Sequence, residues 1–136
     1  MRALVTGAAG FIGSNLVAGL VAEGHEVVGL DDLSAGSSTN LSLTPEVQMI
    51  EADLRDPSAV VAAARGCDVI FHQGALRSVP VSVKDPQAAT SANVGGTLSI
   101  LMAGQEVGAR VVSASSSSVY GDQPRYPVSE DIELHV

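Results

Sequence analysis

One phrase recurs three times along this chain and limits its fold more than any other feature: an apolar helical stretch, a glycine, then a short β-branched run. It occurs at Leu20–Gly24 followed by Glu26–Leu30, at Val60–Gly66 followed by Asp68–Phe71, and at Leu101–Gly108 followed by Arg110–Val112. A glycine just past a helix takes the left-handed conformation that closes the last turn. The strands that follow are apolar on both faces, as in a parallel sheet covered by helices on both sides. Helix and strand alternating at this spacing imply right-handed βαβ units, and so an α/β protein with a doubly wound parallel sheet.

The pattern predicts strands near 2–6, 26–31, 47–51, 68–73 and 110–115, and helices near 11–23, 57–65 and 86–107. Asp56–Pro57 and Asp85–Pro86 each offer an N-cap side chain followed by proline at the first helical position. Ile12, Leu16 and Leu20 share one face of the first helix; Val94, Leu98, Leu101 and Met102 share one face of the last. Segments 32–46 and 74–84 read as loops, and 116–136 as polar and irregular. A length of 136 residues suits a single domain, 1–136. Hydrophobic residues make up 46% but aromatics only 3%, so the core must be built from Val, Ile, Leu and Ala.

A net charge of -8 argues against bulk electrostatic binding of nucleic acid or an anionic membrane. Any phosphate must be held locally, by backbone N–H groups or a few placed cations. Cys67 is the only cysteine, which excludes an intrachain disulfide and a thiol metal cluster, and no metal site is expected. No charged leader and no run of membrane-spanning length is evident, so a soluble, cytoplasmic protein is expected.

Chemistry enters at the first strand-to-helix turn, Gly7-Ala8-Ala9-Gly10-Phe11-Ile12-Gly13. Gly7 allows the tight turn, Gly10 lacks the Cβ that would hold a pyrophosphate off the backbone, and Gly13 lets helix and strand pack closely. The N–H groups at the start of the helix, around Phe11, Ile12 and Gly13, then face the phosphates with the positive end of the helix dipole. Asp31, with Asp32 after it, ends the second strand at roughly the ~20-residue offset of a ribose-binding carboxylate. An ionised Asp31 accepts hydrogen bonds from the ribose 2′-OH and 3′-OH and repels a 2′-phosphate. No basic residue follows in Asp32–Gly36, so NAD is expected rather than NADP. A ligand-free tight turn and a solvated loop acid would use the same residues; it is the strand–turn–helix context that favours a dinucleotide.

Two residues between each pair of glycines resembles the extended short-chain dehydrogenase/reductase family, and further segments are similar to it in order. Glu51–Asp56 resembles its adenine-binding turn, which implies Asp53 as acceptor for the adenine amine with Leu54 beside the ring. Phe71–Pro80 resembles the strand-four motif, implying that Gln73, Gly74 and Ala75 lie against the cofactor and that Arg77 meets a phosphate or stands as a solvated cation. Gln73 and Gly74 depart from the usual apolar residue and Ala. Asn93 matches the helix asparagine that braces the active-site region. Ser113–Gly121 resembles the strand-five motif, which implies Ser116 as the catalytic hydroxyl, bonded to the sugar 4-oxygen. His72 reads as a packed strand-end residue more than a base, and Tyr120 is not placed like the family's catalytic tyrosine. Arg77–Pro80 and Tyr120–Asp122 point within the family to nucleotide-sugar epimerases acting on a UDP-hexose, similar to UDP-glucose 4-epimerases.

The resemblance implies a Rossmann-type three-layer sandwich with strand order 3-2-1-4-5. It also implies a tyrosine followed four positions later by a lysine. Lys84 is the only lysine and Pro80 stands four before it, so no such pair exists in these 136 residues. By family spacing the tyrosine falls a few residues past Val136. The expectation is therefore an N-terminal, NAD-binding portion without autonomous activity and without the C-terminal substrate domain, with apolar surface on the fifth strand that favours a homodimer or other self-association. Two rivals are a dehydratase or reductase of the same family and a non-catalytic NAD-binding module. Dehydratases place an acid pair where Ser117 and Ser118 stand.

Overall fold

The computed structural model describes residues 1–124 and 126–134. Five strands, β1 (Arg2–Thr6), β2 (Glu26–Asp31), β3 (Gln48–Glu51), β4 (Val69–His72) and β5 (Arg110–Ser113), form one sheet in the order β3-β2-β1-β4-β5. Every neighbouring pair is parallel. Alternate residues of β1 enter opposite layers, as the period of two requires. Ala3 and Val5 pack with Val17 and Leu20 of helix α1 (Phe11–Ala22). Leu4 packs with Val60 and Ala63 of α2 (Pro57–Ala64) and Ile100 and Ala103 of α5 (Gly96–Val107). This is the expected Rossmann-type three-layer sandwich. The glycines after the three helices have φ of +79° at Gly24, +72° at Gly66 and +75° at Gly108, the closing conformation their positions implied.

Strand order reverses direction between β1 and β4, so the crevice of the fold opens at the carboxyl ends of those two strands. Ile50, Leu30, Thr6, His72 and Ser113 stand in one register row along that edge.

Three features differ from the pattern-based expectation. Val79–Lys84 forms a short helix, α3, in a segment read as a loop; Pro80 lies in its first turn, where the missing donor costs nothing. The long helix at 86–107 is three pieces: α4 (Pro86–Thr90), a π-helical segment (Ser91–Gly95) and α5. Single 3-10 turns occupy Ser38–Leu41 and Ser117–Tyr120, capped by the hydroxyls of Ser37 and Ser116.

The buried helix faces also differ from the large-residue faces. Helix α5 buries Gly96, Ser99, Ile100, Ala103 and Gly104, while Val94, Leu98, Leu101 and Met102 are each more than half exposed. Ile12 is likewise exposed, and α1 buries Gly13, Ser14, Val17 and Leu20. The cause is close approach of helix to sheet: a Cβ on Gly104 would come within 2.6 Å of Val111 Cγ2. Small residues make that contact, which leaves the larger ones outside.

Candidate functional site

The turn from β1 into α1 is fixed by its own backbone. Gly7 has φ +66°, and its carbonyl accepts from Gly10 N at 3.0 Å. A Cβ on Gly7 would lie 2.8 Å from Gly74 N, so the chain leaving β4 presses directly on the turn. A Cβ on Gly13 would overlap Gly7 O and come within 2.7 Å of Gly7 C, so α1 can start here only without one. Gly10 differs: its Cβ would meet only Gly7 O, at 3.2 Å. No side chain caps α1, and the amides of Phe11, Ile12 and Gly13 have no intrahelical acceptor. The Phe11 and Ile12 side chains are exposed at this end of the helix.

Asp31 meets this turn. Its side chain is buried; Oδ2 accepts from Ala9 N at 3.0 Å and Oδ1 from Leu33 N at 2.8 Å. The second bond holds a turn in which Leu33 has φ +57°. Each carboxylate oxygen has a further lone pair to offer. Asp32 is exposed, and its Oδ1 accepts from Ser34 N and Ser34 Oγ at 3.0 and 2.6 Å. The segment that follows is strapped onto the glycine turn: the Ala9 carbonyl accepts from Ser37 N at 3.0 Å and from Asn40 Nδ2 at 2.7 Å. A Cβ on Gly36 would lie 2.8 Å from Ala9 C. Nothing in the residue pattern pointed to Gly36 or Asn40, since both sit in a polar stretch without periodicity.

After β3, Asp53 is gripped by Arg55, whose Nε lies 2.9 Å from both carboxylate oxygens; Arg55 N also donates to Oδ1 at 2.8 Å. The Arg55 guanidinium holds the Asp53 carboxyl below the usual carboxylate range, against the opposing effect of burial. Leu54 wedges between two glycines: a Cβ on Gly74 would come within 2.7 Å of Leu54 Cδ1, and one on Gly96 within 3.0 Å of Leu54 Cβ. The departure from alanine at 74 therefore has a steric cause in this chain.

The chain after β4 is held at several points. Gln73 N donates to Thr6 O at 3.2 Å, and Gly74 N donates to Thr6 Oγ1 at 3.2 Å. Asn93, in the π-helical segment, closes a two-way clamp on Leu76: Leu76 N donates to Asn93 Oδ1 at 2.7 Å and Asn93 Nδ2 donates to Leu76 O at 3.0 Å. Ala75 and Arg77 are exposed on this loop. Buried His72 has Nδ1 2.8 Å from Thr6 Oγ1 and Nε2 3.1 Å from Thr97 Oγ1. Burial pushes its pKa down.

Ser116 is exposed beyond the end of β5, and its Oγ accepts from Ser118 N at 3.1 Å, which leaves its own proton available. Burial pushes the Cys67 thiol up, so it stays protonated at neutral pH. Among the described residues, no group of three or more His, Cys, Asp or Glu is placed to hold a metal ion, and no helix is long and apolar enough to cross a membrane.

The family model described as NAD-dependent epimerase/dehydratase matches residues 3–135, nearly the whole chain. The chain belongs to that family. The UDP-glucose 4-epimerase of Mycolicibacterium smegmatis is 45% identical over 99% of this chain and 45% of its own length. The crystal structure of a UDP-glucose 4-epimerase from Stenotrophomonas maltophila, with bound NAD and formylated UDP-arabinopyranose, matches with TM-score 0.89 and 33% identity over 99% of this chain and 43% of that one. A dTDP-glucose 4,6-dehydratase from Streptomyces venezuelae, also solved with NAD bound, matches with TM-score 0.86 and 36% identity, over 99% of this chain and 45% of that one. This epimerase/dehydratase-family chain thus spans less than half the length of these relatives. The structure brings Gly7, Gly10, Gly13, Asp31 and Gly74 together around one turn, with Leu54 packed against Gly74 and Asn93 holding the loop that follows. Asp32, Arg77 and Ser116 are exposed and make no hydrogen bond to that turn.

Proposed function

We propose that this chain is the NAD-binding, N-terminal portion of a nucleotide-sugar 4-epimerase acting on a UDP-hexose, and that residues 1–136 form one domain. The observation that carries the reading is the uncapped start of α1 with the buried Asp31 carboxylate 3.0 Å from the Ala9 amide. The fit to a dinucleotide is supported at Gly10, where a Cβ would meet nothing but the turn's own oxygen, so the missing methyl leaves room for a ligand and not for the fold.

Bound NAD would supply the acceptor, and then the donor, of the hydride at the sugar C4. This chain's residues bind and orient. The amides of Phe11, Ile12 and Gly13 take the pyrophosphate at the positive end of α1. Asp31, with Asp32 at the rim, takes the adenosine ribose hydroxyls and disfavours a 2′-phosphate, while Asp53 accepts from the adenine amine beside Leu54. Gln73, Gly74 and Ala75 form the wall on which the nicotinamide end rests, held by Asn93, with Arg77 available to a phosphate. The Ser116 hydroxyl donates to the sugar 4-oxygen as its proton leaves. Without a tyrosine–lysine pair among these 136 residues, the chain alone is not expected to turn over. The exposed apolar residues of α5 and Val112 of β5 favour self-association.

Calorimetric titration tests the binding reading: NAD should bind and NADP should bind far more weakly. Equal affinity for the two, or none for NAD, would overturn it. Sustained interconversion of UDP-glucose and UDP-galactose by the purified chain would refute the expected lack of autonomous activity. The structural likeness to a 4,6-dehydratase keeps that enzyme as a second reading, but Ser117 and Ser118 stand where its acid pair would be.

A further inference from the structure

The buried imidazole at the end of β4 lies between two hydroxyls, and each proton along that line can be assigned. Thr97 Oγ1 lies 2.6 Å from the Asn93 carbonyl, one helical turn back. A carbonyl only accepts, so the Thr97 proton points at it. Thr97 Oγ1 is then an acceptor towards His72, and Nε2, 3.1 Å away, must carry a proton. At the other end, Gly74 N only donates, and it donates to Thr6 Oγ1. The Thr6 proton is therefore free to reach His72 Nδ1, 2.8 Å away, provided Nδ1 is bare. Thr6 is fully buried and His72 nearly so, which disfavours the doubly protonated ring.

We propose that His72 is a positioning residue of the cofactor crevice: as the neutral Nε2–H tautomer it carries one directed hydrogen-bond chain, from Gly74 N–H through Thr6, His72 and Thr97 to the Asn93 carbonyl. The chain joins the two anchors of the loop after β4. Gly74 is held at the glycine turn, Leu76 is held by the Asn93 side chain, and His72 ties one anchor to the other. Along the line each donor meets an acceptor, so every member of the chain is satisfied in this arrangement. That this loop is the nicotinamide wall rests on the function proposed above; the hydrogen-bond chain does not.

The test uses the labelled, nucleotide-free 136-residue chain. Long-range proton–nitrogen correlation of the His72 ring at neutral pH should show a protonated Nε2 and a bare Nδ1. Thr97→Val keeps the shape and removes the hydroxyl. It should speed amide exchange at Gly74 and Leu76 about tenfold, the factor equivalent to one net hydrogen bond, with Val28 and Leu30 unchanged. Thr97→Ser restores the hydroxyl and should restore protection. A protonated Nδ1, or Thr97→Val exchange equal to wild type at both amides, would overturn the proposal. Failure of the same sample to bind NAD would count against the proposed function and leave this chain of bonds standing.

Discussion

Gly13 and Gly10 stand three residues apart in one turn, and a side chain at each would meet very different surroundings. An ideal Cβ on Gly13 would overlap Gly7 O and lie 2.7 Å from Gly7 C and 2.9 Å from Ala8 Cα, closer than real Cβ atoms come. All three neighbours are backbone, so no side chain can swing away. The start of α1 must lift off the turn, and with it the packing of Val17 and Leu20 on Ala3 and Val5. Overpacking typically costs ~1–3 kcal/mol, and a clash with immobile backbone belongs at the top of that range. We expect Gly13→Ala to lose about 3 kcal/mol, a large share of the ~5–15 kcal/mol that holds a domain together. Gly10 has φ -78° and ψ 173°, open to any residue, and its Cβ would have one contact at 3.2 Å. Gly10→Ala should therefore stay within about 1 kcal/mol of wild type. In the proposed NAD site its methyl would stand in the path of the pyrophosphate, so NAD should bind about tenfold more weakly or worse, as for one lost charge-assisted hydrogen bond. Urea unfolding followed by far-ultraviolet circular dichroism reads the first quantity and calorimetry the second. If Gly13→Ala unfolds within about 0.5 kcal/mol of wild type, half of the smallest typical overpacking penalty, or Gly10→Ala binds NAD unchanged, the assignment of the two glycines is wrong.

Three further outcomes follow from the same contacts. Asp31→Asn sets an amide donor against either the Ala9 or the Leu33 N–H, so stability should fall by about 1–3 kcal/mol and the preference for NAD over NADP should narrow; parallel titrations with both nucleotides read the second effect. His72 is neutral in the fold and its pKa is lowered by burial, so the unfolded chain takes up the proton first. Stability from this group is present above the unfolded pKa of about 6.5 and declines as pH falls below it towards the lower folded value, where the slope ends. Urea midpoints across that window should drop, and His72→Phe should flatten the drop. Arg55→Gln removes the cation that lowers the Asp53 pKa, so the Asp53 carboxyl should titrate higher, nearer its ordinary value, in a carbon-detected pH titration.

Much of this architecture is legible in the sequence because its signals are local. A glycine after a helix, an Asp–Pro at a helix start and an apolar run each act within a few residues, and all three repeats folded as their pattern implied. The glycine turn was legible for the same reason. What could not be read depends on distance in sequence. Asn40 reaches Ala9 across 31 positions and His72 reaches Thr6 across 66, and neither residue type announces a partner. The π-helical segment that aims Asn93 at Leu76 has no composition cue. The faces of α1 and α5 misled because large apolar residues suggest burial, whereas the helices lie too near the sheet to admit them and bury Gly, Ser and Ala alongside Val17, Leu20 and Ile100. Val79–Lys84 looked like a loop because a proline follows its first valine, a position that a first helical turn accepts.

Backbone amide shifts of the labelled chain, recorded as NAD is added, locate the nucleotide residue by residue. The largest changes should fall on Gly7 through Gly13, on Asp31, on Asp53 and Leu54, and on Gly74, with saturation at a single site. Changes confined to other parts of the chain, or no change at millimolar NAD, would rule out a dinucleotide site at the glycine turn.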